Sequence, residues 1–302
     1  MGGFGVTEPP DLRLSIVIPT KDRPQLLAQA VQSALSALPT GAEVLVVDDR
    51  SLQTVTGDLY LDPRLRVTAA QGPPGAAGAR NWGVRQARGA RVLFLDDDDL
   101  LLPGYASWIL QQRADYGFSV PLSFPGPMNP NLSRFVATSV RPVAEIRPFR
   151  RQIAGLGCGF WIDRAAFLAL GGISEDLLVN EDTEFSIRVL KAGLSGLRSA
   201  APGVLVRQHG GSGGERGHLT RSARAADRAS YFGLILDRHA EWLDTRPDAA
   251  RFLMQRQLKF LARAGDSAGA RAALARPLAR RHGLSLRLYL AAEKLGVWAR
   301  RQ

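Results

Sequence analysis

The 302-residue sequence has a single cysteine, Cys158, and no long apolar segment. One cysteine excludes a disulfide framework within the chain and fits a reducing compartment. No stretch approaches the roughly 20 apolar residues that a membrane-spanning helix needs, and residues 1–5 lack the basic and apolar regions of a signal peptide. We therefore expect a cytoplasmic protein, and peripheral attachment to the inner face of the plasma membrane is the alternative.

Positive charge is abundant and unevenly placed. The formal net charge is +11, and arginines concentrate after residue 215. A GC-rich genome that favours arginine codons and an anionic membrane surface both explain this bias. We expect no nucleic-acid partner, because no recognisable binding motif is present and few aromatic residues accompany the basic ones.

The first half of the chain alternates strand and helix patterns. Apolar runs predict strands at residues 14–18, 43–47, 65–67 and 91–95, and helical patterns occupy residues 24–37 and 75–88. This alternation predicts an α/β domain with a mostly parallel sheet. Residues 118–149, rich in Pro, Ser and Asn, predict loops or edge strands, and the chain after residue 219 has helical patterns throughout.

Polar residues follow three of the predicted strands, at the point where each strand ends. The first strand is followed by Thr20 and Arg23, the second by Asp48 and Asp49, and the fourth by Asp96–Asp99. Ligands of parallel sheets collect at the carboxyl ends of the strands. Adjacent carboxylates repel one another, and a hard divalent cation such as Mg²⁺ or Mn²⁺ would relieve that repulsion. The alternative for the four aspartates is a solvated acidic turn.

Six short motifs occur in a specific order: Ser15–Thr20, Val46–Ser51, Ala79–Asn81, Phe94–Asp99, Gly171-Gly172 and Glu181-Asp182. Together they resemble the family 2 inverting glycosyltransferases of the GT-A fold. The resemblance implies a tail at residues 1–12, a GT-A domain with a mostly parallel central sheet at residues 13–215, and a basic helical region at residues 216–302.

Members of this family transfer a sugar from a nucleotide diphosphate to an acceptor hydroxyl. The resemblance therefore implies a metal-dependent inverting transferase in polysaccharide or cell-envelope synthesis. It also implies a UDP-sugar donor and an acceptor that is a glycan or a lipid-linked glycan. The implied nucleotide-sugar site consists of Pro19, Thr20, Arg23, Asp49, Arg80 and Asp96.

Two of these residues have specific implied roles. Asp49 would accept the uracil N3–H, and Arg80 would contact the diphosphate, which suits its planar guanidinium. The alternatives are turn capping for Asp49 and a helix-surface position for Arg80. Many relatives have Tyr-Asn where this chain has Lys21-Asp22, so an aromatic stacking contact on the base is lost or replaced here.

The family's Asp-x-Asp motif is matched by Asp96 and Asp98. The resemblance places Asp96 at the ribose or the sugar and makes Asp98 a ligand of Mn²⁺ or Mg²⁺. Asp99 would orient the loop. His209 resembles a further metal or diphosphate contact, and the alternative is that it is an ordinary loop residue.

Asp182 is the predicted general base. Inversion needs one direct displacement at the anomeric carbon, so a carboxylate must take the proton of the acceptor hydroxyl while a cation neutralises the leaving diphosphate. Asp182 and Asp98 meet these two needs. The simpler interpretation is that Glu181 and Asp182 only open a helix, where acidic residues favour the helix dipole. For Trp161, stacking on an acceptor sugar and core packing both stay open.

Three other interpretations fit part of the sequence. A sugar nucleotidyltransferase would need a Gly-rich phosphate loop with a lysine, and Thr20–Arg23 is not such a loop. Against a non-catalytic nucleotide-sugar-binding protein stands the presence together of four carboxylates, Asp49, Asp96, Asp98 and Asp182. A peripheral membrane scaffold driven by the basic C-terminal region would fit only the last third of the chain. Basic amphipathic patterns that begin at residues 251 and 284 predict helices that either lie in a membrane interface or pack on the catalytic domain.

Overall fold

The computed structural model describes residues 12–53, 55, 61–126, 130–208 and 224–295. The chain divides into two compact units. The first consists of Met1–Glu145, Ala154–Glu175 and Arg188–Gly210, and the second of Ile146–Ile153, Asp176–Ile187 and Gly211–Gln302. Two short stretches before residue 216 thus belong to the second unit, and the expected domain boundaries stay predictions. Within the described ranges, no helix combines the length and the apolar character needed to cross a membrane.

The first unit contains eleven strands among its described residues. They are β1 (Leu14–Thr20), β2 (Ala42–Asp48), β3 (Leu65–Ala69), β4 (Arg91–Leu95), β5 (Leu100–Leu101), β6 (Tyr116–Ser119), β7 (Leu122–Pro125), β8 (Arg141–Pro142), β9 (Cys158–Asp163), β10 (Gly196–Ser199) and β11 (Val204–Gln208). Its helices are α1 (Pro24–Ala37), α2 (Ala76–Gln86), α3 (Tyr105–Ile109), α4 (Arg164–Ala169) and a 3₁₀ turn at Val143–Glu145.

Eight strands form one sheet in the order β3-β2-β1-β4-β9-β6-β10-β8. The first four run parallel to one another, as the alternation of strands and helices predicts. Strand β9 runs antiparallel to both β4 and β6, so the sheet is mixed beyond β4. A second, smaller sheet has the order β5-β11-β7. The carboxyl ends of β1, β2 and β4 therefore lie at one edge of the main sheet.

Close packing holds the first two helices against this sheet. Helix α1 begins with Pro24 and buries Leu27, Val31 and Ala34 on one face, the spacing expected of an amphipathic helix. In α2, a Cβ at Gly83 would come within 2.4 Å of a Val17 side-chain carbon. Only glycine allows this approach without displacement, so α2 lies directly on β1.

The second unit is helical where the structure describes it. Its helices are α6 (Ala225–Arg238), α7 (Ala240–Asp244), α8 (Pro247–Arg263), α9 (Ser267–Ala275) and α10 (Gly283–Lys294), with 3₁₀ turns at Phe149–Arg151 and Pro277–His282. Helix α5 (Glu181–Lys191) begins in this unit and ends in the first.

Helix α8 packs against α6, α9 and α10. Its apolar residues Leu253, Leu258 and Phe260 are buried, and Phe260 stacks on Phe232 of α6 with ring centroids 5.9 Å apart. These residues of the basic amphipathic pattern therefore form the core of the second unit. This packing lies within the second unit, so a membrane interface and packing on the catalytic domain both stay predictions.

Helix α10, unlike α8, exposes several of its apolar side chains. Leu286 is buried, whereas Leu284, Leu288 and Leu295 are 76%, 63% and 80% exposed. Their spacing places them on one face of the helix. The last part of the predicted pattern, Val297, Trp298, Arg300 and Arg301, lies outside the described residues.

Candidate active site

The four aspartates Asp96–Asp99, here called the acidic cluster, follow β4 at its carboxyl end. Asp97, Asp98 and Asp99 are only 6%, 4% and 2% exposed. One carboxylate oxygen from each of Asp96, Asp98 and Asp99 lies within 4.8 Å of the other two. Such a set of oxygens suits a hard divalent cation. The donor set fits Mn²⁺ or Mg²⁺, and it includes Asp99, for which the sequence predicts only a loop-orienting role.

Two arginines donate hydrogen bonds to carboxylates of the acidic cluster. Arg23 Nη1 donates to Asp97 Oδ1 and to Asp98 Oδ2, at 3.1 Å in each case. The buried Arg80 donates from Nη2 to Asp96 Oδ1 at 2.5 Å. The protein thus supplies part of the positive charge that adjacent carboxylates require. It also brings Arg23, Arg80 and Asp96, three predicted nucleotide-sugar contacts, to one place.

Arg207 is a further member of this site, and the sequence patterns do not indicate it. Its backbone N–H donates to Asp99 Oδ1 at 3.0 Å, and its Nε donates to the Asp98 carbonyl at 3.1 Å. Its position depends on the antiparallel pairing of β11 with β5, in which Leu205 lies opposite Leu100. No local signal in the sequence specifies that pairing, so the sequence alone does not place Arg207 at the acidic cluster.

Burial raises the pKa of two members of the acidic cluster, Asp97 and Asp99. Burial raises the pKa of Asp97 to about 6, against the opposing charge of Arg23 and a hydrogen bond from Thr20. Burial, followed by the charges of Asp96 and Asp98, raises the pKa of Asp99 to about 9. Burial and the neighbouring charges therefore favour a protonated carboxyl at Asp99 when no metal is bound. A divalent cation would displace the proton, because metal ligands bind in their deprotonated form.

A cavity of about 420 Å³ opens at the carboxyl ends of β1 and β2. Thr20 and Arg23, which contact the acidic cluster, line it together with Asp22, Ser51 and Leu52. The Asp22 N–H donates to Ser51 Oγ at 2.9 Å, and the Leu52 N–H donates to Asp22 Oδ1 at 2.7 Å. These bonds join the loops after β1 and β2 into one wall. The volume lies in the range of about 300–1,000 Å³ that is typical of small-molecule sites.

Asp49 is buried where β2 ends. Its Oδ2 accepts a hydrogen bond from the Gly75 N–H at 2.8 Å, and its Oδ1 accepts one from Arg50 Nη1 at 2.7 Å. The turn that follows β2 is capped not by Asp49 but by Asp48, whose Oδ1 accepts a hydrogen bond from the Ser51 N–H at 3.0 Å. A carboxylate has about four acceptor positions, so Asp49 can also accept an N–H from a ligand.

The remaining predicted donor-site residues are fixed by the strands. Pro19 is buried in β1 opposite Val47, and Thr20 Oγ1 donates to Asp97 Oδ2 at 2.7 Å. Asp96 lies against the backbone of Gly157, where a Cβ would come within 2.0 Å of the carboxylate. A glycine at residue 157 is thus needed for the observed position of Asp96.

Asp182 lies in the second unit, in the first turn of α5. It lines a cavity of about 290 Å³ whose lining residues all come from that unit. Arg228 and Arg256 line the same cavity. Burial lowers the pKa of both guanidiniums, and the charge of Asp182 opposes this shift. Asp182 therefore shares its cavity with two guanidiniums, and the helix-opening position that the sequence left open for it is present.

Trp161 and His209 were the candidate contacts for an acceptor sugar and for the metal or diphosphate, respectively. Trp161 is fully buried, with the Arg91 guanidinium 5.0 Å from its ring centroid. Core packing is thus confirmed for Trp161, and its ring has no face available to an acceptor sugar. His209, the expected additional metal or diphosphate contact, lies outside the described residues.

Residues 15–128 match the family model described as Glycosyl transferase family 2. They form a family 2 glycosyltransferase domain. Both the acidic cluster and the 420 Å³ cavity lie within this domain, whereas Asp182 lies beyond the matched residues. The assignment confirms the family that the six sequence motifs indicate.

Named relatives support the same family. An uncharacterised glycosyltransferase of Haemophilus influenzae is 29% identical over 184 residues, which cover 59% of this chain and 62% of the relative. The GalNAc(5)-diNAcBac-PP-undecaprenol beta-1,3-glucosyltransferase of Campylobacter jejuni is 37% identical over 112 residues, which cover 35% of this chain and 36% of the relative. The chain thus spans less than two thirds of the length of these curated relatives.

The fold of the family 2 domain and its helical extension also occurs in a solved structure. S. aureus TarS 1–349, crystallised in complex with UDP-GlcNAc, is similar with a TM-score of 0.59 at 19% sequence identity. The likeness covers 87% of this chain and 90% of that chain. Together with the family match, it confirms the predicted GT-A fold with a large central sheet and a helical C-terminal region.

Proposed function

We propose that this protein is a metal-dependent inverting glycosyltransferase that moves a sugar from a UDP-sugar donor to an acceptor hydroxyl. The observation that carries the proposal is the 420 Å³ cavity at the carboxyl ends of β1 and β2, whose lining residues Thr20 and Arg23 also contact the acidic cluster. A nucleotide-sugar needs a pocket for its nucleoside next to a place that neutralises its diphosphate. Both features lie within the family 2 domain.

On the donor side, Thr20 and Arg23 would contact the nucleoside and Arg80 the diphosphate. Asp49 would accept the N3–H of the base, because a carboxylate suits an imide donor. This preference supports uridine, as does the UDP-GlcNAc in the TarS crystal structure. The loop cross-link between Asp22 and Ser51 would hold the nucleoside wall in place before the donor binds.

Asp96, Asp98 and Asp99 would hold Mn²⁺ or Mg²⁺, with His209 as a further ligand. When bound, the ion supplies the positive charge that the leaving diphosphate needs. Arg80 adds a fixed positive charge at the same place through its contact with Asp96.

On the acceptor side, Asp182 would act as the general base. It takes the proton of the acceptor hydroxyl while the hydroxyl oxygen forms a bond to the anomeric carbon. The bond between that carbon and the diphosphate oxygen breaks, and its electron pair leaves with UDP. A single displacement of this kind inverts the anomeric configuration. Asp182 lies in the first turn of α5, where acidic residues interact favourably with the helix dipole.

We propose a glycan or lipid-linked glycan as the acceptor. The C. jejuni relative is named for a PP-undecaprenol-linked acceptor. A lipid-linked acceptor would be met at the membrane, and α10 exposes leucines beside the exposed residues Arg287 and Lys294. Exposed apolar and basic residues on one helix are typical of interfacial binding. Peripheral contact of a cytoplasmic protein with the inner face of the plasma membrane is therefore part of the proposal.

A donor panel tests this function. Full-length protein would be incubated with UDP-, GDP- and dTDP-sugars, with Mn²⁺ or with EDTA, and nucleotide release would be measured. We expect release from a UDP-sugar only when the metal is present. Preference for a GDP-sugar would contradict the uridine assignment. Tight UDP-sugar binding without any turnover, with or without added glycan acceptors, would favour a non-catalytic binding protein.

A further inference from the structure

Arg50 and Asp49 form an ion pair where β2 ends, here called the Asp49–Arg50 pair. Arg50 Nη1 donates to Asp49 Oδ1 at 2.7 Å, and Arg50 Nη2 donates to the Gly72 carbonyl at 2.5 Å. The Arg50 side chain is 47% exposed, whereas the Asp49 side chain is only 7% exposed. The guanidinium therefore extends from a buried carboxylate towards solvent.

The turn after β2 fixes the direction of the Arg50 side chain. Arg50 has a φ of 59°, in the left-handed region that residues other than glycine seldom adopt. The Ser51 N–H donates to Asp48 Oδ1 at 3.0 Å, which closes this turn. Strained backbone of this kind is concentrated at functional sites. Ser51 also lines the 420 Å³ cavity, so the turn that orients Arg50 forms part of the cavity wall.

Two glycines leave space beside the Asp49–Arg50 pair. Gly72 accepts the bond from Arg50, and the Gly75 N–H donates to Asp49 Oδ2 at 2.8 Å. Both glycines have left-handed backbone, with φ values of 97° and 108°. Within the part of the chain that the structure describes, no atom lies within 4 Å of the place that a Cβ would take at either glycine. A planar group can therefore approach this backbone closely.

The Asp49–Arg50 pair presents a hydrogen-bond acceptor next to donors. The carboxylate only accepts, and among the contacts of the described residues Arg50 uses two of its five N–H groups, so the others can donate to a ligand. Uracil has the complementary edge, because its N3–H donor lies between two carbonyl acceptors. Cytosine has no hydrogen on N3. Guanine places two donors side by side, N1–H and the 2-amino group, which suit the two oxygens of one free carboxylate.

We propose that Arg50 selects the base of the donor nucleotide, by donating a hydrogen bond to a carbonyl oxygen of uracil while Asp49 accepts the N3–H. The inference rests on the proposed function, since it assigns the base specificity of that donor site. Guanine is disfavoured because an Arg50 N–H already occupies Asp49 Oδ1, where the second guanine donor would bind. Cytosine is disfavoured by Asp49 alone, because its N3 lone pair would face the carboxylate.

The test titrates full-length protein with UDP, CDP and GDP by calorimetry at constant Mn²⁺. The three nucleotides share the ribose and the diphosphate and differ only in the base. Arg50→Gly removes the guanidinium, and glycine adopts the left-handed backbone without strain. UDP affinity and the preference for UDP over GDP should each fall about tenfold or more, because a charged hydrogen bond is lost. UDP should still bind more tightly than CDP, because the Asp49 carboxylate remains.

Arg64→Ala is the matched control. Arg64 is 51% exposed and pairs with Asp62, so its exposure and its ion pair resemble those of Arg50. Its affinities for the three nucleotides should equal those of the wild type, and circular dichroism would confirm that both variants are folded. An unchanged preference for UDP over GDP in Arg50→Gly, or an equal change in Arg64→Ala, would overturn the proposal.

The pattern across the three nucleotides separates base recognition from other roles of Arg50. Equal weakening of UDP, CDP and GDP binding in Arg50→Gly would place Arg50 at the diphosphate and overturn the proposal. Equal affinities of Arg50→Gly for UDP and CDP would show that Arg50 only holds Asp49 in place, which would also overturn it.

Binding and turnover distinguish the base assignment from the proposed function. Selective UDP binding that depends on Arg50, in a protein that transfers no sugar, would contradict the proposed function and support the base assignment. Sugar transfer from a UDP-sugar with the same preference for UDP over GDP in the wild type and in Arg50→Gly would overturn the base assignment and leave the proposed function standing.

Discussion

Arg23 Nη1 donates to Asp98 Oδ2 at 3.1 Å, so the proposed metal ligand is already paired with a cation of the chain. The same nitrogen donates to Asp97 Oδ1 at 3.1 Å. Both aspartates are buried, whereas the Arg23 side chain is 29% exposed. A divalent cation and Arg23 therefore compete for the same carboxylate, and the guanidinium has room to move toward solvent or toward a nucleotide.

Arg23→Gln should raise the Mn²⁺ affinity of the nucleotide-free protein. The expected gain is about two- to fivefold, because a partly exposed ion pair contributes up to about 1 kcal/mol. Electron paramagnetic resonance of unbound Mn²⁺ would measure it. Arg50→Gln is the control, since Arg50 pairs with Asp49 outside the acidic cluster. Unchanged or weaker Mn²⁺ affinity in Arg23→Gln would show that the two cations do not compete.

The buried aspartates predict that the metal-free protein loses stability as the pH rises. Their ordinary pKa is 3.8, whereas burial raises the folded-state pKa to about 6 for Asp97 and to about 9 for Asp99. The folded state thus keeps protons that the unfolded chain releases. The free energy of unfolding should therefore fall as the pH increases from about 4 to about 9.

Asp99→Asn isolates part of this effect. Between about pH 6 and about pH 9, its free energy of unfolding should vary less than that of the wild type, because the amide cannot ionise. Urea denaturation in EDTA-treated buffer, followed by tryptophan fluorescence, would measure both proteins. A wild-type stability maximum near pH 9 in the absence of metal would show that Asp99 is not protonated as the structure indicates.

Asp182→Asn should reduce turnover by about 100-fold or more while UDP affinity stays nearly constant. This pattern is expected when a general base is lost and donor binding is not affected. Glu181→Gln, in the same helical turn, is the control and should keep most of the activity. If UDP binding fell together with turnover in Asp182→Asn, the residue would belong to the donor site.

The exposed leucines of α10 predict binding to anionic liposomes. Replacing Leu284 and Leu288 together by Ser should reduce flotation with such liposomes and leave the fold intact, because both side chains are mostly exposed. Binding should also weaken with salt, since each basic residue near an anionic surface contributes about 1 kcal/mol. Leu168→Ser, at an exposed leucine of α4, is the control. Equal flotation of the wild type, the double variant and a protein lacking residues 270–302 would favour packing alone.

Local sequence patterns were sufficient for much of the N-terminal domain. The helix predicted at residues 24–37 is α1 (Pro24–Ala37), and the strand predicted at residues 91–95 is β4 (Arg91–Leu95). Each of these elements has its signals within its own segment. The signal for α1 is a proline in its first turn. The signal for β4 is a short apolar run, which is typical of a buried strand. The same patterns placed the acidic cluster at a strand end.

Contacts between distant segments could not be predicted in this way. Strand β8 (Arg141–Pro142) pairs with β10 through only two residues, and it lies in the segment expected to form loops or edge strands. The place of Arg207 likewise depends on a two-residue pairing. The cavity at Asp182 is lined by residues from three separate parts of the chain, so its arginines carry no local signal that links them to Asp182.

The configuration of the reaction product shows whether the acidic cluster supports metal-dependent inversion. Wild-type protein, Asp98→Asn and EDTA-treated wild type would be incubated with the preferred UDP-sugar and an acceptor, and the anomeric proton of the product would be followed by NMR. We predict an inverted product from the wild type with Mn²⁺ and none from the other two samples, because an amide is a poor ligand for a hard cation. A product of retained configuration, or full activity in EDTA or in Asp98→Asn, would contradict metal-dependent inversion.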